Sequence, residues 1–139
     1  MNFRITQPED IEQLRLNGVS GGKYDPQAEV DFCATLEQDG KVLIVGGIRK
    51  ITPTTAWAYA ELTSDAGSYI YTVYRVTREW LDKLCKDNGV LRLQAWVETG
   101  HPNRIRWVEH LGFKKEYGPM RHFAGKDVSA DIYVKYFEE

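Results

Sequence analysis

The sequence predicts an α+β domain built round a mixed sheet, and three observations carry that expectation. Stretches with period-two alternation open the chain, fill its second quarter and close it. Stretches with helical period stand between and after them. Asp-Gly, Asn-Gly and proline-containing punctuation separates the two kinds, so strands precede, interleave with and follow the helices. With 139 residues, 42% of them apolar, and no long Pro/Gly/Ser-rich stretch, one compact domain is the natural count.

Phe3 and Ile5 alternate with Asn2 and Arg4 as a first strand. Thr6-Gln7-Pro8-Glu9 has capping-box spacing with a proline in the first turn, and Ile11 and Leu14 then share a helix face. Gly18 to Gly22 breaks that pattern, and a second short helix is predicted to begin at Asp25-Pro26. Phe32, Ala34 and Leu36 alternate with Cys33, Thr35 and Glu37. Asp39-Gly40 then tolerates the positive φ angles of a tight hairpin, with the returning strand over 41–51. A further strand over 55–62 places Trp57, Tyr59 and Glu61 on one face and Ala56, Ala58 and Ala60 on the other. An all-alanine face predicts that something lies very close to it.

Residues 64–68 read as a loop. From Tyr69, the residues Ile70, Val73, Tyr74, Leu81 and Leu84 recur at helical spacing until Asn88-Gly89 stops them. Leu91, Leu93, Ala95 and Val97 alternate as a strand within 90–97. Pro102 opens a helix carrying Ile105, Val108 and Leu111, which Gly112 ends. Two last strands are predicted over 113–117 and 131–137, joined irregularly through Gly118-Pro119.

The net charge of −2 gives no general pull toward nucleic acid or anionic membranes. No apolar run approaches the ~20 residues of a membrane span, and Met1-Asn2-Phe3-Arg4 is followed by no signal-peptide segment. Cys33 and Cys85 lie in periodic segments far apart, as expected of reduced, packed thiols in a cytoplasmic protein. His101, His110 and His122 are too dispersed for metal-ligand spacing, so no metal is expected.

This order of elements, closed by Asn103-Arg104-Ile105-Arg106-Trp107-Val108-Glu109-His110-Leu111-Gly112-Phe113, resembles the GNAT N-acetyltransferase superfamily over nearly the whole chain. A tighter likeness is to small GNAT-like proteins of tailed bacteriophages, including internal and accessory virion proteins. Arg78-Glu79-Trp80-Leu81, Tyr117-Gly118-Pro119 and His122-Phe123 carry it. The resemblance implies a mixed, mostly antiparallel central sheet of about six or seven strands flanked by about four helices. It also implies acetyl-CoA as cofactor, an amine as acceptor, and the bacterial or phage-infected cytoplasm as location.

The resemblance further implies where the chemistry sits. The superfamily binds pyrophosphate at an Arg/Gln-x-x-Gly-x-Gly/Ala turn before the long helix, through bare N–H groups. This chain has Ser64-Asp65-Ala66-Gly67-Ser68-Tyr69 there: one glycine, no preceding arginine, and an aspartate that repels phosphate. Leu62, Thr63, Ser64, Gly67, Ser68 and Asn103 are the cofactor-binding candidates. Backbone N–H groups splayed at a bulge near 60–62 would polarise the thioester carbonyl. Glu61, near the end of the fourth strand, is the candidate base for the amine; the competing reading is a glutamate facing solvent. The family's proton-donating tyrosine falls on Val108, which has no proton to give. Tyr117, Tyr59 and Ser64 are the substitute candidates, if the fold brings them near the thioester sulfur.

Trp57, Tyr59, Tyr69, Tyr71, Tyr74, Trp80, Trp96 and Trp107 are expected mostly in the core, with an exposed subset free to bind protein. Two main functions follow from the resemblance, beside a weaker third, a sensor that binds acyl-CoA or nucleotide without turnover. One is an N-acetyltransferase with a degenerate cofactor loop. The other is a catalytically inactive GNAT-fold protein that binds other phage or host proteins. A cleft plugged by Trp57 or Trp96 is the feature that would favour the second.

Overall fold

The computed structural model describes residues 1–19 and 30–138. Its elements are β1 (Phe3–Ile5), α1 (Pro8–Asn17), β2 (Phe32–Gln38), β3 (Lys41–Lys50), β4 (Thr55–Leu62), a 3-10 turn (Ser64–Tyr69), α2 (Ile70–Asp87), β5 (Arg92–Glu98), α3 (Pro102–His110), β6 (Lys114–Gly125) and β7 (Val128–Tyr136). The seven strands form one sheet in the order β1-β2-β3-β4-β5-β7-β6. Only β4 and β5 pair in parallel; every other neighbour is antiparallel. The predicted mixed, mostly antiparallel sheet is therefore present. Three α-helices lie among the described residues, and the helix expected at Asp25-Pro26 falls outside them.

Local chemistry explains most boundaries. Asp39 and Gly40 both take positive φ (52° and 78°), which lets β2 return as β3 in a tight hairpin. The α1 cap stands one residue later than the capping-box spacing suggests: Gln7 is the N-cap, and its N–H donates to Asp10 Oδ2 at 2.7 Å. Thr6 turns inward instead, its hydroxyl 2.9 Å from that of Thr35. Arg4 grips Asp10 from β1 and holds that carboxyl below its ordinary range.

Val73, Thr77, Leu81 and Cys85, spaced by four, form the buried stripe of α2. Asn88 stops the helix by donating its side-chain amide to the Leu84 carbonyl. Two expectations need correction. Residues 64–68 are not an open loop but most of a 3-10 turn that runs straight into α2. The connection through Gly118-Pro119 lies inside β6, which continues to Gly125 with register shifts against β7.

The larger core lies under α2 and α3, where Ile44, Ile48, Ala56, Leu93, Ala95 and Val97 meet Val73, Leu81, Trp107 and Val108. Burying one such Leu, Ile or Val side chain contributes ~1.5–3 kcal/mol, so this face dominates the fold's stability. Across the sheet, Leu14 of α1 packs on Val42 and Val45 with Ile11 and Cys33. The aromatic set is less buried than expected. Only Trp107 is in the core, and Tyr71 is 82% exposed. Both cysteines are free thiols, and burial pushes the Cys85 thiol up to about 12. No helix among the described residues is long and apolar enough to cross a membrane.

Candidate active site

The site follows from a disagreement between neighbouring strands. β4 stays in register with β3 out to Leu62 opposite Ile44, and β5 stays with β7 out to Glu98 opposite Ala130. Between β4 and β5 only Thr55, Ala56 and Trp57 pair, with Arg92, Leu93 and Gln94. Beyond Trp57 each strand follows its outer partner, and the two part. A cavity of about 180 Å³ occupies the gap, walled by Ala58, Leu62, Ala95 and Val97 from the strands, Thr77 and Leu81 from α2, and Trp107 and Val108 from α3. Pockets that enclose drug-sized ligands run to ~300–1,000 Å³, so this one is small and narrow by comparison. Trp96 lines it, set edge-on to Phe123, without filling it; Trp57 is not part of the lining.

Backbone groups turn toward this gap without a bulge. Thr63 donates its N–H to the Leu43 carbonyl at 3.0 Å. Backbone direction alternates along a strand, so Tyr59 and Glu61 also face β3, whereas Ala60 faces the opening and Leu62, whose carbonyl accepts from Val19, faces the end of α1. Thr54, on the same parity as Ala60, agrees: its carbonyl accepts from Arg92 of β5 at 3.0 Å. The bulge expected near 60–62 is absent, because β3 and β4 pair there without a register shift. The shift lies between Leu36 and Glu37 of β2. The strands part by divergence, not by a bulge.

Glu61 lines the cavity and is 5% exposed, so the solvent-facing alternative does not hold. The end of α1 covers it. Gly18 bridges Thr63, and the Val19 N–H donates to the Leu62 carbonyl at 2.9 Å. A Cβ on Gly18 would stand 2.7 Å from Glu61 Oε1 and 2.4 Å from the Leu14 carbonyl oxygen, so only glycine lets the chain pass this close. At the matching end of β5, Glu98 receives His101 Nε2 at 3.1 Å and Arg104 Nη1 at 3.6 Å. Both Glu98 and Arg104 belong to the cavity lining.

The other predicted residues divide. Leu62 lines the cavity. Thr63 is buried, but its hydroxyl donates to the Val42 carbonyl at 2.6 Å and its amide to Leu43, which leaves neither for a ligand. Ser64, Gly67 and Ser68 are exposed on the 3-10 turn, and a Cβ on Gly67 would meet nothing within 4 Å. Asn103 is exposed in the first turn of α3, outside the lining. Tyr117 is 65% exposed on β6 and is not brought to the cavity either. Val108 does reach the cavity wall, as counting back from Phe113 implies. No group of three or more metal-ligating side chains occurs among the described residues.

Thr77 and Glu98 were missed by sequence reasoning. Thr77 alone left a signal: a hydroxyl in the apolar i, i+4 stripe of α2. It is 2% exposed, and its Oγ1 has no hydrogen-bond partner.

This architecture is that of the GNAT N-acetyltransferases. The structure is similar to Ard1 from Thermoplasma volcanium, with a TM-score of 0.79 at 18% identity over 99% of this chain and 98% of that one. It is also similar to a ribosomal-protein-alanine N-acetyltransferase from Brucella melitensis (0.72, 16%, 99% and 100%). A Bacillus subtilis acetyltransferase in complex with CoA matches as well (0.71, 12%, 99% and 99%). No protein-family model matches the sequence, and no curated protein matches it. The chain has the GNAT fold.

Proposed function

We propose that the protein is an N-acetyltransferase that passes acetyl from acetyl-CoA to an amine by direct attack. The observation that carries this reading is the parted β4–β5 pair, with an open slot, the Ala60 amide turned toward it, and a buried glutamate at its end. The donor set fits the acyl-bearing arm of the cofactor, which is slim and needs little beyond an apolar channel and a few hydrogen-bonding groups. When bound, acetyl-CoA supplies an acetyl thioester whose carbonyl carbon an amine can attack.

The chain's own groups do the rest. The Ala60 N–H group, fixed by the β3–β4 ladder, orients and polarises a carbonyl without having to reorganise. Glu61 sits beside the same strand end and takes the amine proton on its carboxylate. Ala95, Val97, Val108 and Leu81 keep water from the reacting atoms. The phosphates would lie at the turn of Ser64, Gly67 and Ser68, with Asn103 on the facing helix. Tyr117 has no part in this reading; Tyr59, which lines the cavity, is the side chain able to hand a proton to the departing CoA thiolate.

A specific observation favours a second reading, a GNAT-fold protein of phage type that binds phage or host proteins without turnover. The phosphate turn carries Asp65, and its Thr63 and Ala66 amides are already bonded to the Leu43 and Thr63 carbonyls. Isothermal titration with acetyl-CoA, with desulfo-CoA beside it, separates the two. Micromolar binding of both supports the enzyme and justifies an acceptor screen. No heat at millimolar cofactor sinks the enzyme and sends the search to protein partners.

A further inference from the structure

Thr77 stands in the middle of α2, on the stripe Val73, Thr77, Leu81 and Cys85 that faces the sheet. A threonine inside a helix ordinarily returns its hydroxyl to the carbonyl one turn earlier, or reaches water. Thr77 does neither: Oγ1 is sealed from solvent and has no hydrogen-bond partner. Valine would have the same shape, pack as well and bury no orphan, so packing alone does not account for a hydroxyl here. The helix carbonyls and the sheet below leave it unsatisfied. The one remaining neighbour able to bring a polar atom is the cavity, which Thr77 lines together with Leu81, Ala58 and Val108. From α2 the lining takes Thr77, Trp80 and Leu81, and of these Thr77 alone carries a hydroxyl. A few polar groups in an otherwise apolar slot are what set a ligand's depth and orientation.

We propose that Thr77 is a ligand-contacting residue. Its hydroxyl, turning about χ1, hydrogen-bonds a polar atom of the acyl-bearing arm, so that the slot takes an arm carrying thioester or amide groups and discriminates against a plain hydrocarbon chain. This rests on the N-acetyltransferase reading above, and it assigns to α2 a contact on the wall where Val108 offers none. Thr77 keeps its proton throughout; the role is binding and positioning.

The test compares wild type, Thr77→Val and Thr77→Ser by isothermal titration with acetyl-CoA and by thermal unfolding without it. The valine variant is expected to unfold at a higher temperature, because the orphan hydroxyl is gone, yet to bind acetyl-CoA about tenfold more weakly, the order of one lost hydrogen bond. Serine should retain most of the affinity. Higher stability with unchanged affinity in Thr77→Val overturns the Thr77 contact and leaves the acetyltransferase reading standing. Equal loss in valine and serine assigns the effect to packing and overturns it too. No binding by wild type removes both readings together.

Discussion

The two ends of the cleft differ in how far their backbone is already engaged. At the end proposed for the acyl group, the Ala60 amide turns toward a gap that β5 has left. At the end proposed for the phosphates, Thr63 gives both its amide and its hydroxyl to β3, and Ala66 gives its amide to Thr63. Asp65 adds a negative charge to that turn. The acyl slot depends on strand geometry, which tolerates almost any sequence that keeps its ladders. An anion cradle depends on loop residues with free N–H groups, and a few substitutions remove it. A fold can therefore keep the place where a reaction would happen while its grip on the cofactor's charged end changes.

Glu61→Gln carries the largest expected effect. With a positioned base contributing about 10²–10⁴-fold, kcat for the best amine acceptor should fall by at least about a hundredfold while acetyl-CoA affinity holds. A kcat within a factor of three of wild type would break the contrast at its acyl end. Next comes Ala60→Leu, which fills the slot from an exposed position on the strand. Overpacking of that kind costs about 1–3 kcal/mol, so affinity should weaken about tenfold or more with little change in Tm.

Asp65→Asn sharpens the comparison from the other end. Removing a like charge near the α2 N-terminus should tighten acetyl-CoA binding about two- to fivefold at low salt, from ~0.3–1 kcal/mol, and less at high salt. The same titration in two buffers reads it. No gain would mean that the phosphates do not pass this turn.

The smallest effect concerns the closed root of the cleft, where Arg92 pairs with Thr55. Arg92 and the Tyr136 hydroxyl both donate to Glu116 and hold its carboxyl at about 2, below its ordinary 4.5. A depressed carboxyl adds stability that is complete above its unfolded value and is lost as pH falls toward the folded one. Thermal unfolding between pH 4.5 and 2 should therefore show a shallower loss in Glu116→Gln than in wild type. Equal slopes would show that the cluster, which lies at the surface, adds nothing measurable.

Much of the fold was legible because its signals are local. The Asp39-Gly40 turn, the alternation over 55–62 and the stop at Asn88-Gly89 each lie within a few residues of what they specify. Irregular pairing was not legible: β6 runs on through Gly118 and Pro119 because β7 pairs with it discontinuously, and no period marks that. The site was half legible. Glu61 and Leu62 reach the cavity, while Tyr117 and Asn103 do not. Their places depend on where β6 and α3 settle, and Tyr117 looked available only because sequence distance says nothing of direction.

By itself the sequence determined the kinds of element, their order and the faces they bury, since period and turn chemistry act between near neighbours. Only the tertiary structure decided that β4 and β5 part after Trp57, that the end of α1 closes over Glu61, and that the Thr77 hydroxyl is left without a partner beside the gap. Each of these needs segments tens of residues apart to be placed by third partners, β3 for one strand and β7 for the other. No local pattern encodes a separation that arises because two neighbours are each held elsewhere.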